Sequence, residues 1–156
     1  MKIFEAGKFT LNLSKKTYVM GILNVTPDSF SDGNKWFNIE SAVGHALQMK
    51  NDGADIIDIG AQSTRPGHTK ITPQEELMRL MPVLKVLKGR INVPISVDTF
   101  YPEVAKEALN EGIDIINDVN GFKNEEMMKV AAKSNCGCIV MHDGTNAQMK
   151  NFFDLQ

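Results

Sequence analysis

The apolar positions change period along the chain. Ile3 precedes, and Phe9, Leu11 and Leu13 follow, a turn at Ala6, Gly7 and Lys8, and their period of two predicts a short hairpin. Beyond it, apolar runs at 18–23, 56–59, 93–97, 113–116 and 138–141 are short, mostly β-branched and too continuous for strands with one wet face. They predict buried parallel strands. Between them, the segments 39–51, 73–87, 102–110 and 125–133 carry apolar residues at helical spacing, as in Val104, Ala105, Ala108 and Leu109. Strand and helix alternate five times, lacking only the last helix.

Local signals set the helix ends. Pro73 and Pro102 suit a first turn, Glu75, Glu76 and Glu103 suit the positive end of the dipole, and Gly53, Gly89 and Gly112 suit the stops. An internal echo, GADIID at 53–58 against GIDIIN at 112–117, points to a repeated βα unit. Parallel strands with helical crossovers allow an open doubly wound sheet or a (β/α)8 barrel, and both put the site at the strand C-termini. Periodicity leaves the two open. A barrel needs eight strands and about 250 residues, so as a barrel the chain holds about five βα units after the hairpin, a single domain over 1–156 that is C-terminally incomplete.

Composition narrows the function classes. The 42% apolar content suffices for a core, and 17 basic against 19 acidic residues give a net charge of -2, which offers no footprint for nucleic acid or an anionic membrane. Two cysteines, Cys136 and Cys138, are too few for a disulfide framework, and one C-x-C lacks a second ligand pair for zinc. Packing on one strand face is the expectation for them. The N-terminus has no apolar run of signal or membrane length, and a cytoplasmic location is expected.

The strand ends gather Asn24, Asp58, Asp98, Asn117 and His142. Such convergence is the signature of a site, although single strand-end polar residues often only cap the next helix. The loop after the first strand reads GILNVTPDSFSDG over 21–33, and this string is similar, residue for residue, to the first signature of dihydropteroate synthases. The loop AQSTRPG at 61–67 resembles the second, with Ala61 where glycine is common and Gln62 where glutamate is common. PISVDT at 94–99 and Met141-His142 match further family positions, whereas Asp143-Gly144-Thr145 departs from the family run.

The resemblance implies a (β/α)8 pterin-binding barrel that condenses 6-hydroxymethyl-7,8-dihydropterin pyrophosphate with p-aminobenzoate to give 7,8-dihydropteroate and pyrophosphate. It implies that Asn24 helps hold Mg2+ on the pyrophosphate, that Asp98 and Asn117 grip the pterin edge, and that Met141 packs on the ring. Phe30 and Asp32 would belong to a loop closing over p-aminobenzoate, Arg65 would meet Asp32, and Thr64 and Pro66 would line the p-aminobenzoate pocket. An ionised Asp98 would offer two acceptors to two adjacent ring donors. His142 is expected to be a hydrogen-bonded structural group, because no second ligand sits at metal spacing. His45 and His68 take no role.

The family's later strands supply groups that hold the pyrophosphate and cover the ring, so the resemblance implies that the isolated 156-residue chain is inactive and poorly stable as a monomer, with Ile57, Ile95 and Ile115 losing the opposite wall. The parent is expected to be a homodimer. Two other classes stay open: a noncatalytic truncated homologue, and the pterin-binding domain of a corrinoid-dependent methyltransferase, which does not need the GILNVTPDSFSDG loop.

Overall fold

The computed structural model describes residues 2–26, 35–62 and 70–141, with side chains for all but 35–38. Strands β1 (Ile3–Ala6) and β2 (Phe9–Asn12) form the expected antiparallel hairpin. Then β3 (Met20–Asn24), α1 (Lys35–Asn51), β4 (Ile56–Gly60), α2 (Pro73–Leu87), β5 (Ile95–Asp98), α3 (Pro102–Glu111), β6 (Ile115–Asp118), α4 (Glu125–Ala132) and β7 (Gly137–Val140) follow in strict alternation. Strands β3 to β7 form one parallel sheet in sequence order. A doubly wound sheet reverses its strand order at a switch point. The described strands have no reversal, so they are consecutive staves of a barrel.

Most ladders start two residues later than the apolar runs. Ile113 is still engaged by the end of α3, its amide donating to Ala108 O at 3.2 Å, and Pro94 precedes β5 without an amide hydrogen to give. Thr72 caps α2 by accepting from the Glu75 amide at 3.2 Å, with Pro73 in the first turn. Gly112 ends α3 at φ 100 and Gly53 follows α1 at φ 109, as expected. Gly89 does not act this way: α2 closes on Lys88 in the right-handed helical region.

The register decides which residues face inward. Across the five strands, one row runs Asn24, Gly60, Asp98, Asn117, Ile139, and the row beneath it runs Ile22, Asp58, Ser96, Ile115, Gly137. The alternate positions face the helices. Ile57 and Ile95 therefore belong to the layer packed under α1, α2 and α3 with Leu80, Leu84 and Val104, which corrects the expectation that they line the interior. Ile115 does face inward, against Ala6, Leu11 and Ile56.

The hairpin packs on the N-terminal end of the strands. Phe4, Tyr18, Met20 and Ile139 join that inner cluster, and the Gly7 amide donates to Asn135 O at 2.9 Å. Two glycines allow this approach: a Cβ on Gly7 would lie 2.6 Å from Asp114 Oδ1, and one on Gly137 would lie 2.6 Å from the Phe4 ring. Polar residues thus collect at the other end. Among the described residues no helix is long and apolar enough to cross a membrane.

Candidate functional site

The inner row at the C-terminal ends of the strands brings together Asn24, Asp98 and Asn117, three of the residues expected to bind ligand. Gly60 sits between two of them. A Cβ there would lie 3.6 Å from Asp98 Oδ2 and 3.9 Å from Asn24 Oδ1, so the missing side chain leaves those two oxygens facing one space. Asn117 Nδ2 donates to Asp58 Oδ2 at 3.1 Å, which ties the site row to the row below. The alternation of side chains along each strand makes this placement automatic once the register is set.

Burial dominates the electrostatics. Asp98 is pushed up to about 7, first by burial and then by the charges of Asp58, Glu76 and Asp118 around it. Without a ligand, Asp98 in these surroundings exchanges its proton near neutrality, and two donors placed against it would favour its ionised form. Asp58 is raised too, by burial, against the opposing effect of Ser96 and Asn117. Ser96 Oγ stands beside Asp58 without forming an aligned hydrogen bond, and Asp58 Oδ1 likewise has no partner among the described residues.

Glu76 is a member the sequence did not announce. The expectation gave it only a place at the positive end of the helix dipole, yet it is 1% exposed, its Oε1 is unpartnered among the described residues, and burial raises its pKa. Thr99 and Arg79 act in the opposite direction. With Gln62, Asp98, Thr99 and Phe100 it lines a small depression beside the site row. Its signal was its spacing: Glu76 shares a helix face with Leu80, Val83, Leu84 and Leu87, all buried.

Met141 follows β7 at the same mouth and is 48% exposed, with its amide donating to Asp118 O at 3.3 Å. Asp118 itself is buried and accepts from the Asn120 and Phe122 amides, which shapes the turn after β6. Of the two cysteines, Cys136 packs against the helix layer and Cys138 is exposed, so only one fills the expected packing role. No group of three or more histidine, cysteine or carboxylate side chains capable of holding a metal occurs among the described residues. Phe30, Asp32, Thr64, Arg65, Pro66 and His142 lie outside the described residues.

The family profile described as "Pterin binding enzyme" matches residues 20–153. The chain belongs to this pterin-binding family. Within it, the chain is 46% identical over 151 residues to a dihydropteroate synthase of Clostridium beijerinckii, a match covering 96% of the chain and 56% of the relative. It is 48% identical over 155 residues to the Bacillus subtilis dihydropteroate synthase, covering 99% and 53%. Among solved structures, a Xanthomonas albilineans dihydropteroate synthase with 4-aminobenzoic acid superimposes with a TM-score of 0.87 at 38% identity, covering 98% of this chain and 58% of that one. A Burkholderia cenocepacia dihydropteroate synthase complexed with 7,8-dihydropteroate gives 0.79 at 36% identity, covering 94% and 48%. The chain spans about half the length of the curated relatives it matches. The pterin-binding barrel is thus the fold, and its five described parallel strands are part of it.

Proposed function

We propose that this chain is the pterin-gripping part of a dihydropteroate synthase, joining 6-hydroxymethyl-7,8-dihydropterin pyrophosphate to p-aminobenzoate. The observation that carries the reading is the inner row: a half-buried carboxylate, Asp98, registered beside the Asn117 amide at a strand-end mouth. A pterin edge presents an amino group beside a ring nitrogen, two donors that match the two carboxylate oxygens of Asp98. Asn117 addresses the remaining ring edge and Met141 covers the ring from the mouth. These donors hold Asp98 in its charged form.

The chemistry asks for positioning and charge neutralisation more than proton transfer. The C–O bond to pyrophosphate breaks, the pterin stabilises the resulting carbocation, and the arylamine attacks it. Mg2+ would supply the charge that neutralises the leaving pyrophosphate, and Asn24 fits as one oxygen ligand, since magnesium keeps waters and phosphate oxygens for the rest of its shell. Its Oδ1 faces the same space above Gly60 as Asp98 Oδ2. Phe30, Asp32, Thr64, Arg65 and Pro66 take the p-aminobenzoate side, with Asp32 and Arg65 closing over it and excluding water. The single domain works in the cytoplasm on small-molecule substrates, and the parent assembles as a homodimer.

The dihydropteroate synthase relatives favour this reading over a methyltransferase pterin domain. Calorimetric titration of the chain with a pterin tests it, with Asp98→Ala and Asp98→Asn both expected to weaken binding. Unchanged affinity in either variant sinks the assignment. In the full-length parent, incorporation of labelled p-aminobenzoate then separates a synthase from a noncatalytic homologue, and Arg65→Ala or Asp32→Ala there should damage p-aminobenzoate use more than pterin pyrophosphate binding.

A further inference from the structure

Glu76 occupies a core position of α2. It shares a helix face with Leu80, Val83, Leu84 and Leu87, all buried, and its own Oε1 is unpartnered among the described residues. A carboxylate in that place is costly to the fold. Its position beside Asp98, Thr99 and Phe100 points to a task at the site.

The turn after β5 is where it acts. Thr99, next to Asp98 in the chain and 2% exposed, gives its amide to Asn117 O at 3.1 Å and accepts at Oγ1 from the Tyr101 amide at 3.2 Å. With Oγ1 accepting from Tyr101, the hydroxyl hydrogen is left for the Glu76 carboxylate beside it. Burial pushes the Glu76 carboxyl up, and the Thr99 hydroxyl leads the groups that pull it back. Three residues further along α2, Arg79 Nη1 donates at 2.9 Å to the carbonyl of Ala61, the residue after Gly60. A single helix turn thus meets the ends of β4 and β5, the two strands whose register partners Gly60 and Asp98 border one space.

We propose that Glu76 is a positioning residue for the pterin grip: by taking the Thr99 hydroxyl it holds the turn after β5 on helix α2 and fixes where Asp98 and the neighbouring Asn117 stand. The inference rests on the synthase reading for the identity of the ligand, while the buried link from α2 to the turn is a property of the fold. Glu76 itself touches no ligand in this scheme. An acceptor is what the position requires, and a carboxylate or an amide oxygen supplies one. Two directional bonds to Asp98 depend on its carboxylate being oriented in advance, so a slack turn lowers affinity without removing a contact.

Variants of the full-length parent test this, with 6-hydroxymethyl-7,8-dihydropterin pyrophosphate as the probe. Calorimetry at about pH 8.5 keeps Asp98 ionised throughout, so the lost charge of Glu76 does not act through its protonation. Glu76→Leu and Thr99→Val should each weaken binding about tenfold, and the double variant also about tenfold, because both cut the same link. Glu76→Gln and Thr99→Ser keep the acceptor and the hydroxyl and should stay within about twofold. Hydrogen exchange of the Tyr101 amide should quicken about fivefold in Glu76→Leu, although its own acceptor is untouched, and stay slow in Glu76→Gln. Should Glu76→Leu fail to fold, the contrast between Thr99→Val and Thr99→Ser decides. Unchanged affinity in Glu76→Leu, losses that multiply in the double variant, or affinity that simply follows the urea midpoint across the set would overturn the proposal. If the unsubstituted parent binds no pterin, the synthase reading fails, and the Tyr101 exchange decides the link alone.

Discussion

Asn117 and Asp58 are joined across the sheet, the amide of one donating at 3.1 Å to a carboxylate that sits one row deeper in the interior. The bond commits an amide hydrogen of Asn117 downward and so fixes which way that amide stands. Asp58 also acts at a distance, because its charge is the largest electrostatic contribution raising Asp98.

Replacing Asp58 by asparagine should therefore lower the pKa of Asp98. Pterin affinity in the unsubstituted chain is expected to rise as pH climbs toward 7, where Asp98 becomes ionised, and to level off above it. In Asp58→Asn the midpoint of that rise should move to lower pH, toward the range of an unperturbed aspartate near about 4. Binding titrations across this pH range provide the check, and an unmoved midpoint counts against the coupling.

Stability should run the other way with pH. Asp98, Asp58 and Glu76 all hold their protons more tightly in the folded chain than in the unfolded one, where a carboxylate ionises near about 4. Between about pH 4 and 7 the unfolded chain gives up protons that the folded chain keeps, so folding stability falls as pH rises, and the loss from Asp98 is complete above about 7. For Asp98 this is roughly 2–4 kcal/mol, below the full linkage value because the group keeps some contact with solvent. Asp98→Asn and Glu76→Gln should each raise the unfolding midpoint in denaturant titrations more at about pH 8 than at about pH 4.5. A gain independent of pH would point to packing instead.

Gly60→Ala should separate stability from binding. The new methyl meets Asp98 and Asn24 at ordinary contact distances, 3.6 and 3.9 Å, so the fold should change by no more than about 1 kcal/mol. The methyl nevertheless occupies the space that both oxygens face, and pterin affinity should drop about tenfold, more in Gly60→Val. Thermal unfolding and titration of the same sample decide this. A binding loss matched by a collapse in stability would mean that the glycine serves the fold.

Glycines at the far end make the opposite case. Gly53 has φ 109 with nothing near its would-be Cβ, so Gly53→Ala should cost about 1 kcal/mol from backbone strain alone. Gly7 combines φ 58 with a Cβ position 2.6 Å from Asp114 Oδ1, and Gly7→Ala should cost roughly 2–4 kcal/mol as the hairpin lifts from the strand ends. Urea unfolding of the pair checks the ranking.

How far the fold could be read from the residues varied with the kind of signal. The span of helix α2 was legible, because Pro73 marks its start and its apolar positions repeat for four turns, although Gly89 is not what closes it. Strand existence was legible from the apolar runs, but strand phase was not: Ile56-Ile57 and Ile115-Ile116 are apolar on both faces, so the side facing the helices cannot be chosen without the neighbouring ladder. That is why Ile57 and Ile95 were expected inside. Asp98, Asn117 and Asn24 were legible as strand-end polar residues in matching motifs. The protonation of Asp98 was not, since it depends on Glu76 from a helix and on Asp118 from the next strand, neighbours only in space.

The crowding of carboxylates around Asp98 has a calorimetric consequence. A ligand that offers two donors to Asp98 favours its charged form, so at neutral pH part of each binding event is the transfer of a proton from the protein to the buffer. The measured heat then contains the buffer's own heat of protonation, and titrations in phosphate and in Tris at the same pH will disagree by an amount proportional to the protons released. The slope of that disagreement counts the fraction of chains in which Asp98 was protonated before the ligand arrived.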